Sequence, residues 1–573
     1  MGKVSVNING KDVTVDEGTT ILEACKKINI KIPTLCNHPD LETKGNCRIC
    51  IVEVEGQKIF SAACCTTVRD GMKIKTNTKR VREARKIIME LIISSHRDEC
   101  LSCVRSNNCE LQTLSKELNV NNVTFDKNIR PIKIDKSSPA IVRDPSKCIK
   151  CGRCVEVCHD VQGVGAIYNA FRSSDMEISL PFEAKLDDVE CVYCGQCINV
   201  CPVGAIYEKD DTENVWDAIE DKNKHVIVQI APAVRVSLGE EIGMEPGSIV
   251  TGKIVAFLRR IGFDKVFDTN FAADLTIMEE GNELLYRLKN NGTLPMMTSC
   301  SPGWIRYIEF FYPELLDHVS SCKSPQQMFG ALAKSYYTQK FNIDPKDIVV
   351  VSIMPCTAKK AEAIRKEMND SGHQDVDIVL TTRELGRMVK ESRILLEELQ
   401  EEEFDAPLGI STGAAAIFGS TGGVMEAALR TVYEVVTGEE LENIDLYDLR
   451  GIEGFKESIV KIGELEVKVA VVNSLKNAKK ILEMIKKGEC DYHFVEVMCC
   501  PGGCIGGGGQ PIPGNNEIKM KRIDGIYYVD KGLSIRKSHK NPAVLQVYKE
   551  YLGEPLGEKS HKLLHTHYNY KSK

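Results

Sequence analysis

A repeated cysteine spacing constrains this chain more than any other feature. Cys148-x2-Cys151-x2-Cys154-x3-Cys158 returns as Cys191-x2-Cys194-x2-Cys197-x3-Cys201, followed by Pro202. Three sulfurs two residues apart line one tight loop, and soft thiolates so placed suit a metal cluster rather than a packed core. The 573 residues carry 24 cysteines. A disulfide framework belongs to small secreted domains, whereas the start of this chain, Met1 to Gly10, alternates like a strand and lacks the charged start and apolar run of a signal peptide. The cysteines are therefore expected to be ligands in a reducing cytoplasm. No apolar stretch approaches the roughly 20 residues a membrane helix needs. The formal net charge of -7 gives no reason to expect nucleic acid or an anionic membrane as partner.

The two runs resemble the bacterial two-cluster ferredoxins, in which the fourth cysteine of each run serves the other cluster. That resemblance implies one 4Fe–4S cubane on Cys148, Cys151, Cys154 and Cys201, and another on Cys191, Cys194, Cys197 and Cys158. His159 replaces the usual proline after the first run, and a hairpin or helix is expected between the runs. The linker before them, Lys127 to Ser138 with Pro131, is rich in charge.

Upstream, Lys3 to Ile8 and Lys11 to Val15 alternate around Asn9-Gly10, a strong hairpin signal. A helix capped by Thr19 or Thr20 follows, with Ile21, Leu22, Ala24, Cys25 and Ile28 on its apolar face. Hairpin, helix and cysteine loop resemble the plant-type ferredoxin fold, with a first gap closer to the N-terminal domain of hydrogenases and of the large iron–sulfur subunit of complex I. The implied 2Fe–2S ligands are Cys36, Cys47, Cys50 and Cys64, with Cys65 the alternative to Cys64 and Cys25 read as packing. A helix from Asn77 to Ser95 then delivers His96-x3-Cys100-x2-Cys103-x5-Cys109. By themselves one histidine and three cysteines bind zinc or iron. Between cluster domains they resemble the His-ligated 4Fe–4S site of the same two families, where neutral imidazole in place of a thiolate raises a cluster's potential.

Past Val215 the cysteines vanish for many residues and strands alternate with helices. Strands are expected at His225–Ala231, Lys265–Asp268, Asp347–Ile353, Ile378–Thr381, Val467–Val472 and His493–Met498, with a helix over Gly252–Gly262. The pattern predicts an α/β domain of mostly parallel sheets in two lobes, with a pocket at the strand ends between them. The expected organisation is multi-domain, α+β and then α/β. It comprises a 2Fe–2S domain over 1–80, a His/Cys3 4Fe–4S domain over 81–126, a two-cluster ferredoxin domain over 127–209 and a two-lobed α/β domain over 210–573. The tail with His561, His565 and His567 reads as a solvated end, with metal binding as the alternative.

Three segments of the last domain carry the sharpest resemblance: Thr298-Ser-Cys-Ser-Pro-Gly-Trp304, Met354-Pro-Cys-Thr-Ala-Lys-Lys360 and Glu496-Val-Met-Cys-Cys-Pro-Gly-Gly-Cys504. They resemble the signature loops of the iron-iron (FeFe) hydrogenases, and with the cluster domains ahead of them the resemblance spans nearly the whole chain, in the single-chain clostridial arrangement. It implies an H-cluster, a 4Fe–4S cubane joined to a two-iron unit carrying carbonyl, cyanide and an azadithiolate bridge and built by separate maturation proteins. It implies Cys504 as the bridging ligand with Cys356 and Cys500 on the cubane, and reversible H2 chemistry with electrons exchanged with ferredoxin or a similar carrier. Lys359 suits a cyanide, the backbone near Pro232 and Ala233 and the Gln326 amide suit the remaining acceptors, and Met354 and Met498 offer apolar walls. The family's proton path maps onto Glu280, Glu283, Ser320 and Arg287; without the resemblance the two glutamates read as surface charges. Glycines 502, 503 and 506 to 509 let the backbone crowd the cluster, or form an ordinary loop.

The first loop departs from the family's pattern, which has two adjacent cysteines where this chain has Cys300-Ser301. In strict register Cys300 is the proton relay and the cubane ligand has become serine. The expectation is nevertheless that Cys300 slips into the ligand role, since iron–sulfur sites prefer thiolate, and that the relay passes to Ser301, Cys322 or Cys499. Ala233 and Ala358 stand where serines are usual, and an altered catalytic bias is expected. Two other functions stay open: a hydrogen sensor, and a subunit of a larger bifurcating electron-transfer complex.

Overall fold

The computed structural model describes residues 2–129, 133–441, 443–463 and 465–570. Pro131 of the expected linker lies outside them. The chain divides into two units. The first comprises Met1–Asp160, Gly165–Val189 and Val200–Tyr207, and the second Val161–Val164, Glu190–Asn199 and Glu208–Lys573.

In the first unit the opening hairpin pairs Lys3–Ile8 with Lys11–Asp16 through left-handed Asn9 and Gly10. The helix Ile21–Lys27 starts on a capping box between Thr20 and Glu23. The hairpin joins Lys73–Lys75, Ile51–Val54 and Ser61–Ala62 in a five-stranded sheet. Its core holds Val6, Ile8, Val15, Ile21, Ala24 and Cys25. The helix Lys79–Ser94, capped by Thr78, ends just before His96. The insertion between the two cysteine runs is a hairpin, Tyr168–Ala170 against Glu177–Ser179.

The second unit contains two four-stranded sheets. The first runs Lys265–Asp268, His225–Ile230, Ile348–Met354, Ile378–Thr381, all parallel. The second runs Met296–Met297, Phe494–Met498, Leu465–Asn473, Phe455–Ile462, with only the last pairing antiparallel. The near-continuous apolar run at 467–472 follows from burial on both faces: Val467, Val469 and Val471 enter one core, Ala470 and Val472 the other. The helix Thr251–Ile261 ends on left-handed Gly262.

The C-terminal tail corrects the solvated-end reading. Its last helix, Glu558–Leu564, buries Leu563 and Leu564, and His565 behind it is 4% exposed. Two consecutive buried leucines carry the following imidazole inside, which a count of polar residues conceals.

Candidate active site

Four loops leave strand C-termini of the second unit. Pro232 and Ala233 follow His225–Ile230, Cys356 follows Ile348–Met354, Cys300 follows Met296–Met297, and Cys500 and Cys504 follow Phe494–Met498. Met297 pairs with Val495 in parallel, so the Cys300 and Cys500 loops leave neighbouring strands at the same end. Met354 and Met498 are buried at 3% and 2% exposure.

The glycine run explains how these loops come together. A Cβ on Gly507 would sit 2.1 Å from the Pro355 carbonyl oxygen, and one on Gly508 2.3 Å from that of Cys194. Only glycine allows the loop that carries Cys504 to lie against the loop that carries Cys356. Arg383 fixes it there, donating to the carbonyls of Gly508 and Gln510 at 2.6 Å each and to Glu208 at 2.7 Å. Its two cationic partners hold Glu208 well below the usual carboxylate range against the cost of burial.

Cys356, Cys500 and Cys504 lie within electrostatic reach of one another. Burial, then mutual repulsion, pushes the Cys504 thiol up to about 12 and the Cys356 thiol higher still. Crowded buried sulfurs are relieved by a soft cation, so the donor set fits an iron–sulfur group. Lys359 Nζ donates to Glu362 at 2.8 Å and to the Cys300 carbonyl at 3.1 Å, which engages two of its three donors and leaves one for an anion. The Gln326 NH2 turns to Glu362 at 3.1 Å and to the Lys359 carbonyl at 3.3 Å, and its carbonyl oxygen is buried with no partner among the described residues. Its free end is thus an acceptor, not the donor expected for a cyanide or carbonyl.

Cys300 packs with Cys504 against the core that holds Ala233, Phe418 and Met498. Burial raises its thiol well above the ordinary range, and the nearby charges of Glu280 and Cys504 add to that. The Ser301 hydroxyl instead accepts from the Cys499 amide at 3.2 Å, on the side of Cys500. The Cys499 thiol hydrogen-bonds to Cys194 and Cys500, and the three pack in one core with Trp304.

Glu280 and Glu283 are buried, not surface charges, on the helix Thr269–Lys289. Burial first, and the charge of Glu283 second, push the Glu280 carboxyl up to about 8, and both its oxygens are buried with no hydrogen-bond partner among the described residues. Glu283 takes Arg287 at 2.6 Å on one oxygen and Ser320 at 2.9 Å on the other. Cys322 stands beside this chain, its sulfur 3.9 Å from Glu283.

Glu496 went unassigned in the sequence. It accepts the amides of Gly422 at 2.6 Å and Met425 at 2.8 Å, and burial pushes it up to about 7. One acid inside a strand of buried apolar residues was the available signal. Glu362, one turn after Lys359, was missed in the same way.

In the first unit, Cys50 and Cys64 sulfurs lie 3.3 Å apart and Cys36 hydrogen-bonds to both Cys47 and Cys64, which gathers all four. Cys65 is exposed and Cys25 is buried in the core. His96 Nδ1 meets the Lys147 carbonyl at 2.9 Å, an acceptor that places the proton on Nδ1 and leaves the Nε2 lone pair for a metal. Burial holds its pKa below the ordinary value, in the neutral form a metal needs. A cavity lined by Cys148, Cys151, Cys154 and Cys201 has apolar walls from Ile178, Val203 and Ile206. Cys158 belongs to the first unit, whereas Cys191, Cys194 and Cys197 belong to the second.

Five family descriptions match successive parts of the chain. They are a 2Fe-2S iron-sulfur cluster binding domain over 2–79, the NADH-ubiquinone oxidoreductase-G iron-sulfur binding region over 85–124 and a 4Fe-4S dicluster domain over 147–205. The iron only hydrogenase large subunit, C-terminal domain, covers 224–508, and the iron hydrogenase small subunit 516–571. The NADP-reducing hydrogenase subunit HndD of Solidesulfovibrio fructosivorans is 48% identical, with 99% of each chain covered. Iron hydrogenase 1 of Clostridium pasteurianum is 43% identical over 98% of this chain and 99% of its own. The solved apo [FeFe]-hydrogenase HydA1 from Chlamydomonas reinhardtii superposes with a TM-score of 0.57 at 45% identity, covering 63% of this chain and 99% of that one.

Proposed function

The chain belongs to the FeFe-hydrogenase family, and on that premise we propose that it interconverts H2 with two protons and two electrons at an H-cluster fed by four accessory clusters. One observation carries this reading: the loop of Cys504 lies on the loop of Cys356 at Gly507, Lys359 of that loop donates to the Cys300 carbonyl, and the Cys300 and Cys500 loops leave neighbouring parallel strands at one end. When bound, the H-cluster supplies the redox-active metal that forms or splits H2. The protein supplies everything else. Lys359 holds an anionic ligand, and Met354 and Met498 exclude water. Protons pass along Glu283, which Arg287 holds at the half-buried end, then Ser320, Glu280 and Cys300. Glu280, largely protonated at neutral pH, can give up and regain a proton without a change of fold.

Against the expectation of Cys300 as ligand, the relay is assigned to Cys300, on whose buried thiol the Glu280 charge acts, and the fourth donor to the Ser301 hydroxyl, which accepts from the amide next to Cys500. The 2Fe–2S cluster is assigned to Cys36, Cys47, Cys50 and Cys64, one 4Fe–4S cluster to His96, Cys100, Cys103 and Cys109, and two more to the ferredoxin-like runs. The domain limits proposed are those given by the sequence. Ferredoxin is the proposed electron partner, and separate maturation proteins the source of the two-iron unit. Among the described residues no helix is long and apolar enough to cross a membrane. A cytoplasmic site of action is part of this proposal.

The full-length likeness to an NADP-reducing hydrogenase subunit supports a second reading, membership of a complex that passes electrons to NADP. Carbonyl and cyanide infrared bands after maturation test the cofactor, and their absence refutes it. Rapid H2 evolution by the isolated chain with reduced ferredoxin supports the first partner; activity only with added subunits and NADPH supports the second.

A further inference from the structure

Against the proton chain, and sharing its Glu283, lies a cluster of side chains in which the proposed relay leaves Cys322 and His565 unused. Glu283, Cys322 and His565 are all buried, and one ligand atom from each falls within 4.8 Å of the others. The Cys322 sulfur is 3.9 Å from Glu283 Oε2 and 4.0 Å from His565 Nδ1. Tetrahedral zinc, with bonds of roughly 2.0 to 2.3 Å, needs ligand separations of about 3.3 to 3.8 Å, so the two separations from sulfur need close only slightly. The Ser321 hydroxyl, 2.8 Å from His565 Nδ1 and 3.2 Å from Glu283 Oε2, occupies the fourth corner.

The imidazole is set for this role. Glu279 Oε2 stands 3.0 Å from His565 Nε2 and fixes the ring proton there, so the Nδ1 lone pair faces Cys322 and Glu283. Glu279 is itself held by the Tyr548 hydroxyl and by the Leu556 amide at 2.9 Å. A carboxylate behind a histidine is the usual second support of a bound metal. The charges facing the site are Glu279 and Glu283, with Glu280 nearby. Against them stands Arg287, on the opposite oxygen of Glu283 at 2.6 Å, and the ring of His561 stacks on that of His565 at 4.6 Å. Ser321 is only half-buried and gives access.

We propose that Glu283, Cys322 and His565 form a binding site for Zn2+, and that the ion bound there stops proton delivery. Binding forms a zinc–sulfur bond and releases the thiol proton of Cys322 to solvent, one per ion. The ion takes Glu283 Oε2, the same oxygen to which Ser320 donates. The inhibitory consequence rests on the relay assigned above; the site itself does not.

The test uses the cluster-loaded full chain, freed of loose metal by chelator and titrated with Zn2+, alongside Cys322→Ala and His565→Gln. Bound zinc after dialysis, protons released and H2 turnover are measured, the last as the ratio with and without zinc. The wild type is expected to bind one zinc more per chain than either variant, to release one proton with it, and to lose at least tenfold of its turnover. The Cys322→Ala ratio is expected to stay near one at the same zinc concentration. Equal zinc uptake in all three chains overturns the site. Uptake that depends on Cys322 and His565 but leaves wild-type turnover intact keeps the site and overturns the relay through Glu283.

Discussion

Glu280→Gln replaces the buried carboxyl at the centre of the proposed relay with a group of the same shape that cannot carry a proton. Burial raises the carboxyl from 4.5 to about 8. Holding the proton there is worth about 5 kcal/mol over an ordinary carboxyl. At pH 7, one unit below such a value, about nine in ten molecules are protonated there. Loss of a positioned proton carrier costs about 100- to 10,000-fold in rate, so turnover at pH 7 is expected to fall into that range. Stability moves the other way. The folded pKa lies above the unfolded one, so the folded chain binds a proton that the unfolded chain lacks between about 4.5 and 8. This group's contribution is fully present below pH 4.5 or so and is lost as the pH rises through about 8. Glutamine removes that loss, so the urea midpoint of the anaerobic variant is expected to exceed the wild type's by more at pH 9 than at pH 6. An infrared protonated-carboxyl band at pH 7 should vanish with the substitution. A variant that keeps more than about a tenth of wild-type turnover, or a midpoint difference independent of pH, refutes the role of Glu280.

Other substitutions test other parts of the assignment. Ser301→Cys supplies the thiolate that iron prefers, and is expected to retain more iron per chain under chelator challenge; unchanged retention argues against Ser301 as the fourth donor. His96→Cys adds a negative ligand in place of neutral imidazole and is expected to shift one 4Fe–4S signal to a more negative potential in an EPR-monitored titration. Cys499→Ala removes a thiol donor from Cys500 and Cys194, and less hydrogen bonding to cluster sulfur is expected to move potentials downward as well. Arg383→Ala leaves buried Glu208 with Arg387 on one oxygen and nothing from Arg383 on the other, and frees two carbonyls of the glycine loop; losing such charged hydrogen bonds costs about 1.5 to 3 kcal/mol, seen as an earlier urea midpoint and faster iron loss.

What could be read from the chain and what could not divide along a physical line. Periodicity reports burial along one element, and it located the strands that end before Cys356 and Cys500 because both run through apolar residues buried on two sides. Ligand spacing reports a local loop, and it singled out Cys148, Cys151 and Cys154, which with Cys201 line one cavity. Neither reports which distant polar group meets which. Glu279 and Glu280 are adjacent in one helix, yet Glu279 bonds to His565 from the far end of the chain whereas the charge of Glu280 acts on Cys300. The tail histidine looked solvated because the signal that buries it lies in Leu563 and Leu564 and in a carboxylate 286 positions away. Cys300 and Ser301 show the same limit at the site itself. Their order along the chain allows either to be the donor or the relay, and the partners that separate them, the Cys499 amide for one and Glu280 for the other, come from elements about 200 and 20 residues away. Ser301→Ala, which removes the hydroxyl that accepts from the Cys499 amide, and Glu280→Gln are therefore expected to act on different observables, cluster potential and proton delivery. Equal effects of both on both would mean that the two neighbours are not divided between those tasks.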